Sequence, residues 1–235
     1  MKYALQSRLS RPVALVYRGP ASLPGCPEAV ADMLAASHWD FDIHFTGPRE
    51  RVPLSQATLA RATLYAQPGG DTLDEAYRRL RDQREAIRGF VGAGGRYLGF
   101  CLGGYLAGAT PGFALLPGDT DRYIDTRRAT VRTEGNAVVE VIWRGRPRRL
   151  FFQDGPHFEI ETDHGTTVLA TYPNDAIAAA VTTFGAGRVG VVGPHPEATP
   201  DWFVDAGLPY PHGNDRQQAC GRDLAHDLVN AVMAR

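Results

Sequence analysis

The sequence lacks the features that would place a protein in a membrane or on a polyanion. Near the amino end only five apolar residues occur in a row, at 13–17, which is too few for a signal peptide or a membrane span. The 235 residues carry a formal net charge of −1, so no global field attracts nucleic acid or an anionic membrane. The basic run at 144–149 is more typical of a solvated hairpin turn than of a binding patch. We therefore expect a cytoplasmic protein that acts on a small-molecule substrate, with no nucleic-acid and no membrane partner.

Cysteine is scarce as well. Cys26, Cys101 and Cys220 form neither a metal-binding spacing nor a disulfide framework, which is typical of a reducing compartment. No zinc signature, P-loop or dinucleotide fingerprint is present, and the glycines at 92–95 precede a predicted strand, whereas a pyrophosphate loop follows one. The sequence thus predicts no metal and no cofactor. Cys26 and Cys220 are expected to be bystanders, which leaves Cys101 for separate consideration.

The first half of the chain alternates strand and helix patterns. Residues 72–91 repeat apolar side chains at helical intervals and predict one long amphipathic helix, in which Thr72 and Glu75 have the spacing of a capping box. Another helix is predicted to begin at Pro27. Buried or half-buried strands are predicted at residues 13–17, 41–45, 62–66 and 97–100. This order predicts an α/β fold with an open, mostly parallel central sheet.

The second half is rich in β-strand patterns. Short β-branched runs alternate with turn-forming residues, which predicts hairpins. These runs lie at residues 129–133, 137–143, 149–153, 166–172 and 176–184. A buried strand at 189–192 and an amphipathic helix at 222–233 then return to the earlier pattern. We expect one domain over residues 1–235, with a β-rich elaboration at about 125–183 in the carboxyl-terminal half.

Cys101 carries the strongest chemical signal in the chain. It lies in the run GFCLG, with glycines two residues before and two residues after it, at the end of a predicted buried strand. Such glycines let a strand reverse sharply into a helix and leave the middle side chain exposed on a strained turn. The pattern therefore predicts a nucleophile elbow with a thiol in place of a hydroxyl.

A thiol nucleophile needs a base and a group that orients the base. His195 follows the predicted strand at 189–192, so it should lie on the same sheet edge as Cys101, and Glu197 could bend back to hold its ring. The predicted triad is Cys101, His195 and Glu197. His157, in the run DGPHF, is the competing base, in a loop expected to hang over the site.

Two further sets of residues complete the predicted site. The oxyanion formed during acyl transfer requires backbone donors, and the N–H of Leu102 together with that of Gly70 or Gly69 could supply them. Separately, Gln153, Asp154 and His157 are candidates for substrate contact, with a plain turn as the alternative.

Three motifs in this order, PGG, then GGRYLGFCLGGYLAG, then GVVGPHPE, resemble the class I glutamine amidotransferase-like superfamily. More narrowly, the chain resembles the biotin-protein ligase N-terminal-like domain family, in its stand-alone bacterial form, with similar openings (here LVYRGP), elbows and GPHPE endings. The resemblance spans nearly the whole chain. It implies a flavodoxin-like three-layer sandwich and places Cys101, His195 and Glu197 at the triad positions. It also puts residues 151–155 where the family has an aromatic-Asn-Gly-Gly stretch.

One position departs from the superfamily. Amidotransferases have glutamine at the position of Tyr105, where it helps hold the substrate, so the change weakens the case for glutamine and makes Tyr105 a candidate substrate contact. The resemblance then implies a cysteine amidohydrolase that attacks an amide C–N bond through a thioester. If ammonia were released for a synthesis, a partner synthase would be required. Ligase activity is not inherited from the family name.

Two other functions fit the same residues. The elbow could be the floor of a non-catalytic ligand-binding or regulatory module. It could also hold the thiol of a redox sensor, in which peroxide oxidises Cys101 and no hydrolysis occurs.

Overall fold

The computed structural model describes residues 11–162, 165–210 and 221–234, and Cys220 lies outside this part of the chain. The described residues form a mixed α/β fold around one large, partly parallel sheet. Its strands are β1 (Val13–Tyr17), β2 (Asp42–Thr46), β3 (Leu64–Gln67), β4 (Arg96–Phe100), β5 (Gly118–Arg122), β6 (Ala137–Trp143), β7 (Arg146–Phe152), β8 (Pro156–Ile160), β9 (Thr167–Thr171), β10 (Ile177–Phe184) and β11 (Gly187–Val192). The helices are α1 (Cys26–Ala35), α2 (Gln56–Leu59), α3 (Leu73–Leu80), α4 (Arg84–Gly92), α5 (Leu102–Ala107), α6 (Pro200–Asp205) and α7 (Arg222–Met233), and short 3-10 helices occupy Arg81–Gln83 and Tyr123–Asp125. No helix in the described part of the chain combines the length and apolarity needed to cross a bilayer.

The parallel half of the sheet has the strand order β2-β1-β3-β4-β11. Its inner strands β1, β3, β4 and β11 are buried because both faces of the sheet are covered, whereas the edge strand β2 is partly exposed. Val16 of β1 packs in one core with Val30 of α1 and Leu228 of α7. Leu15, its neighbour in β1, packs on the other face in a second core with Ile87 of α4. All five strands end at the same edge, where the loops that carry the candidate site meet.

The antiparallel half extends this sheet from β11 through β10, β9, β6 and β7. The basic run forms the β6–β7 hairpin, which turns at Arg144 and Gly145. It is a solvent-exposed hairpin turn, as predicted, and two of its arginines also pair with α7. Arg148 pairs with Asp223 at 2.7 Å, and Arg144 Nε lies 3.0 Å from Asp227 Oδ2.

The prediction of one continuous helix over residues 72–91 is wrong. It divides into α3 and α4 around the 3-10 turn at Arg81–Gln83, and Thr72 caps α3 without a side-chain hydrogen bond. Tertiary contacts explain the break, since they fix the start of α4 independently of α3. Arg84 Nε donates to the Gly112 carbonyl at 3.1 Å, and Arg88 Nη1 donates to the Phe113 carbonyl at 2.7 Å.

The prediction for the β-rich segment is partly wrong. Residues 129–133 form no strand, because the side chains of this segment bond locally: the Thr130 N–H donates to the Tyr123 hydroxyl at 3.0 Å. Two strands were not predicted: β5 is polar along its length, and β8 begins at a proline directly after the turn-forming Asp154 and Gly155. His157 therefore lies in β8, paired with Asp121 of β5, and not in a loop.

Candidate active site

Cys101 occupies a backbone conformation that few L-amino acids adopt. It lies between β4 and α5 with φ of 47° and ψ of −105°. Such a conformation persists only where the surroundings enforce it. Here the Cys101 N–H donates to the Val192 carbonyl of β11 at 2.9 Å, and the Tyr105 N–H donates to the Cys101 carbonyl at 3.0 Å. The turn is thus fixed on both sides of the thiol, at the carboxyl edge of the sheet.

The glycines around Cys101 are required by close backbone contacts. A Cβ at Gly99 would lie 2.3 Å from the Gly103 carbonyl oxygen, and a Cβ at Gly103 would lie 2.0 Å from the Gln67 carbonyl oxygen of β3. No side chain fits at such distances. The elbow therefore packs backbone against backbone, both on itself and on the adjacent strand.

His195 and Glu197 follow β11 and are held rigidly. The His195 N–H donates to the Phe151 carbonyl at 2.9 Å, and the ring Nδ1 lies 2.8 Å from Glu197 Oε1. The imidazole packs edge to face against the rings of Phe151 and Trp202, with centroids 5.9 Å and 5.3 Å away. Only 4% of the His195 side chain and none of the Glu197 side chain is exposed.

Electrostatics couple His195 to both neighbours. Burial by itself lowers the pKa of His195, but the charges of Glu197 and Cys101, together with hydrogen bonds to both side chains, raise it to about 10. The ring therefore bridges the carboxylate and the sulfur. The second carboxylate oxygen of Glu197, Oε2, is buried and has no hydrogen-bond partner among the described residues.

The predicted oxyanion glycines lie beside the elbow. A Cβ at Gly70 would lie 2.3 Å from Leu102 Cδ2, and a Cβ at Gly69 would lie 2.8 Å from His195 Cε1. Leu102 is the first residue of α5, where a backbone N–H has no partner within the helix. The structure thus brings the loop after β3, the start of α5 and His195 together.

Two adjoining cavities meet at Cys101, and Leu23, Gly70 and Gln153 also line both. The first, of about 550 Å³, is lined by Cys26, Phe151, His195 and Trp202, and we call it the histidine lobe. The second, of about 520 Å³, is lined by Leu102, Tyr105, Arg122 and Asp154, and we call it the tyrosine lobe. A larger cavity of about 780 Å³ lies at the opposite, amino ends of the strands, where Glu85 is the one ionisable residue that lines it.

The candidate substrate contacts divide between this site and its surroundings. The Cys101 thiol donates to the Gln153 carbonyl at 3.5 Å, and the Tyr105 hydroxyl donates to the Asp154 carbonyl at 3.0 Å. His157 lies apart: it lines neither lobe, its Nε2 is 4.0 Å from Glu159 Oε1, and burial lowers its pKa. Among the described histidines, His195 is the one that adjoins the thiol.

Sequence reasoning assigned no role to two residues of the histidine lobe. The Cys26 sulfur would lie 3.4 Å from a Cβ at Gly69, and burial, together with the charges of Glu197 and Cys101, raises its pKa. Trp202 makes an edge-to-face contact with the ring of His195. The position of Cys26 in the loop after β1 was a usable signal, because β1 ends on the same sheet edge as β4 and β11.

Groups of three or more histidine, cysteine or acidic side chains suited to a metal ion are absent from residues 11–162, 165–210 and 221–234.

Residues 14–130 match the family described as biotin-protein ligase, N terminal. This part of the chain belongs to that family. The matched range contains Cys101, Tyr105 and the glycines at 69 and 70, whereas His195 and Glu197 lie beyond it. No curated protein matches the chain.

Solved structures with a similar fold align with most of this chain, both within and beyond the biotin-protein ligase N-terminal segment. A candidate GMP synthase subunit from Thermoplasma acidophilum is 12% identical, with a TM-score of 0.55. The alignment covers 94% of this chain and 93% of that protein. A cytoplasmic protein from Salmonella typhimurium LT2 is 12% identical with a TM-score of 0.53, at coverages of 94% and 99%. The exo-beta-1,4-mannosidase Op5Man5 from Opitutaceae bacterium strain TAV5 is 17% identical, with a TM-score of 0.52. The alignment covers 97% of this chain and 37% of that enzyme. The chain spans about a third of the length of the glycoside hydrolases it matches.

Replacing Gly103 by alanine should destabilise the fold, because the new methyl group meets the Gln67 carbonyl. We expect Gly103→Ala to lower the free energy of unfolding by about 1–3 kcal/mol, measured by urea denaturation. Gly89→Ala is the matched control: Gly89 lies within α4 with no atom within 4 Å of the added methyl, so the change should be neutral or stabilise by about 0.5–1 kcal/mol. Equal effects of the two substitutions would contradict the packing described for the elbow.

The His195 pair also predicts a pH dependence of stability. Because folding raises the pKa of His195 to about 10, its contribution to stability is complete below the unfolded pKa of about 6.5 and is lost as the pH rises towards 10. Unfolding free energies measured from pH 6 to pH 10 should therefore fall, and the fall should be smaller in Glu197→Gln, which removes a charge that raises this pKa. Glu159→Gln, beside the more exposed pair with His157, is the control and should leave the slope unchanged.

Proposed function

We propose that the protein is a cysteine-dependent hydrolase or acyltransferase that breaks an amide C–N bond through a thioester. The observation that supports this most is the buried His195 ring, which joins the Glu197 carboxylate to the sulfur of a strained elbow. In this proposal Cys101 is the nucleophile, His195 is the acid and base, and Glu197 orients the ring and balances its charge.

The arrangement suggests a balanced reaction sequence. The Cys101 thiolate attacks the substrate carbonyl carbon, and the negative charge that develops on oxygen is stabilised by the N–H groups of Leu102 and Gly70, or Gly69 in place of Gly70. His195 gives its proton to the leaving nitrogen as the C–N bond breaks, which leaves an acyl-thioester. Water or an acyl acceptor then attacks this thioester while His195 removes its proton, and the C–S bond breaks to release the acyl product and restore the Cys101 thiolate beside the protonated His195 ring.

We also propose a layer arrangement and a domain organisation for the fold. We infer a flavodoxin-like, three-layer arrangement for the parallel half, supported by its strand order and by the separate cores on its two faces. We also propose that residues 1–235 form one domain with a β-rich elaboration at about 125–183, in which β6 to β10 lie.

The substrate is a small molecule in this proposal, and glutamine is a weak candidate. Tyr105 lies at the position where amidotransferases have glutamine, and its hydroxyl is bonded to the Asp154 carbonyl. The likeness to a candidate GMP synthase component is one of fold. A partner synthase would be needed only if the released nitrogen were ammonia.

Thiol labelling tests the nucleophile. Cys101 and Cys26 are 6% and 7% exposed, so access alone would not separate them. Because burial raises the pKa of Cys26 and the His195 ring adjoins Cys101, we expect iodoacetamide to modify Cys101 at least about tenfold faster at pH 7, followed by peptide mass spectrometry.

Turnover completes this test. Cys101→Ser should reduce cleavage of any amide or ester substrate by about 10³-fold or more, whereas the control Cys220→Ser, at the predicted bystander cysteine, should retain activity. Equal, slow labelling of Cys101 and Cys26 would instead favour a non-catalytic module. Peroxide oxidation confined to Cys101 without hydrolysis would favour the redox sensor.

A further inference from the structure

We propose that the amide is substituted on both sides and that its leaving group is an amine carrying a second positive charge, as in an N-acylated diamine. This inference rests on the proposed function, because it assigns the two lobes to the two halves of the scissile amide. It is argued from the position of His195, from the size of the lobes and from their charge.

The position of His195 fixes the direction of the substrate. Cys101 lines both lobes, so the carbonyl carbon must lie at their junction. His195 lines the histidine lobe only. Since the general acid must reach the leaving nitrogen, the amine half belongs in the histidine lobe and the acyl half in the tyrosine lobe.

The size of the histidine lobe argues against ammonia as the leaving group. A primary amide such as glutamine releases a nitrogen with no substituent, which would leave a cavity of about 550 Å³ unfilled. Cavities of this size are typical of sites that enclose a whole small molecule. An amine with a carbon chain would fill the lobe and contribute binding energy to the reaction.

The charge of the histidine lobe favours a cation. Four carboxylates line it, and no lysine or arginine is among its described lining residues. One of them, Glu28, pairs with Arg18 at 3.2 Å, but Asp32, Asp201 and Asp205 have no cationic partner in the described part of the chain. The chain as a whole has a net charge of only −1, so this negative charge is local. The lobe also holds the protonated His195 ring, but Glu197 balances its charge, so the three unpaired aspartates leave the lobe net negative and attractive to a cation.

Aromatic rings support the same preference. Phe151 and Trp202 line the histidine lobe with ring centroids 5.4 Å apart, next to Asp201 and Asp205. Aromatic rings and carboxylates that line one cavity are suited to an ammonium or guanidinium group. An anionic leaving group would be repelled.

The tyrosine lobe is also net negative, so it does not favour an anionic acyl half. Its one lining cation, Arg122, is held by Asp154 at 3.0 Å and by Glu134 at 2.6 Å. Asp71, Asp74 and Asp121 add further negative charge at its mouth. Neither half of the substrate is therefore expected to be an anion.

Four acetyl amides test the proposal with the acyl group held constant: N-acetyl-1,5-diaminopentane, N-acetylpentylamine, N-acetyl-6-aminohexanoate and acetamide. We expect kcat/KM to be highest for the diamine, at least about tenfold above the neutral pentylamine and higher still above the anion and acetamide. The preference over pentylamine should shrink as salt is raised, because the carboxylates are open to solvent.

Charge-removing variants locate the preference. Asp201→Asn with Asp205→Asn should lower kcat/KM for the diamine amide about tenfold and leave the pentylamine amide within about twofold. Asp82→Asn is the control, since its side chain is 88% exposed and lines neither lobe. Equal cleavage of acetamide, pentylamine and diamine amides, unchanged by the double variant, would overturn this proposal and leave the proposed function standing.

A binding measurement keeps the two proposals separable. The Cys101→Ala variant should bind 1,5-diaminopentane more tightly than pentylamine by calorimetry, and the Asp201/Asp205 double variant should lose this difference. If no amide is cleaved and Cys101 shows no preferential labelling, the proposed function fails while the cation preference is still decided by binding. Equal binding of the two amines would refute the charged leaving group whatever the enzymatic result.

Discussion

The candidate site depends on one backbone turn, the positive-φ conformation of Cys101. A non-glycine residue in such a conformation costs on the order of 1–3 kcal/mol, so the surrounding structure must over-determine it. Three neighbours do so here: β11 accepts the Cys101 N–H, β3 packs its carbonyl against Gly103, and α5 begins one residue later. Because these elements belong to the most buried part of the sheet, the thiol is positioned by the core itself and not by a loop.

The change from parallel to antiparallel pairing positions the base. β11 is the last parallel strand and pairs with β4 on one side and with antiparallel β10 on the other. The chain leaving β11 is captured by β7 through the hydrogen bond from His195 to Phe151, so the antiparallel half reaches back over the sheet edge. The same strand end supplies the Gln153 carbonyl that accepts from the thiol. The β-rich segment therefore forms one wall of the site.

The sequence predicted the parts of the molecule whose signals are local. The strand at 13–17, the helix at 222–233 and the glycines flanking Cys101 are specified by nearby residues, and each was predicted within a residue or less of its observed place. The break between α3 and α4 was not predictable, because it follows from arginines that bond to a loop more than twenty residues away. β5 and β8 were missed for a related reason, since polar side chains and a proline give no strand pattern and their pairing is set by the fold. The participation of Cys26 and Trp202 in the histidine lobe likewise depends on which loops meet at the sheet edge.

Stability alone does not account for the residues around His195. A buried ion pair is weak evidence for stability, because the desolvation of both groups offsets their attraction, and apolar residues of similar volume often do as well. Glu197 adds a second cost, since its Oε2 is buried without a hydrogen-bond partner among the described residues. A buried carboxylate in that state favours a positive charge beside it, which is the imidazolium whose pKa of about 10 the pair maintains. A strained φ, a buried charge pair and an unsatisfied oxygen thus occur together within one site. Features that each destabilise a fold occur together mainly at functional sites. Their coincidence here supports a catalytic role for Cys101 more strongly than any one of its contacts.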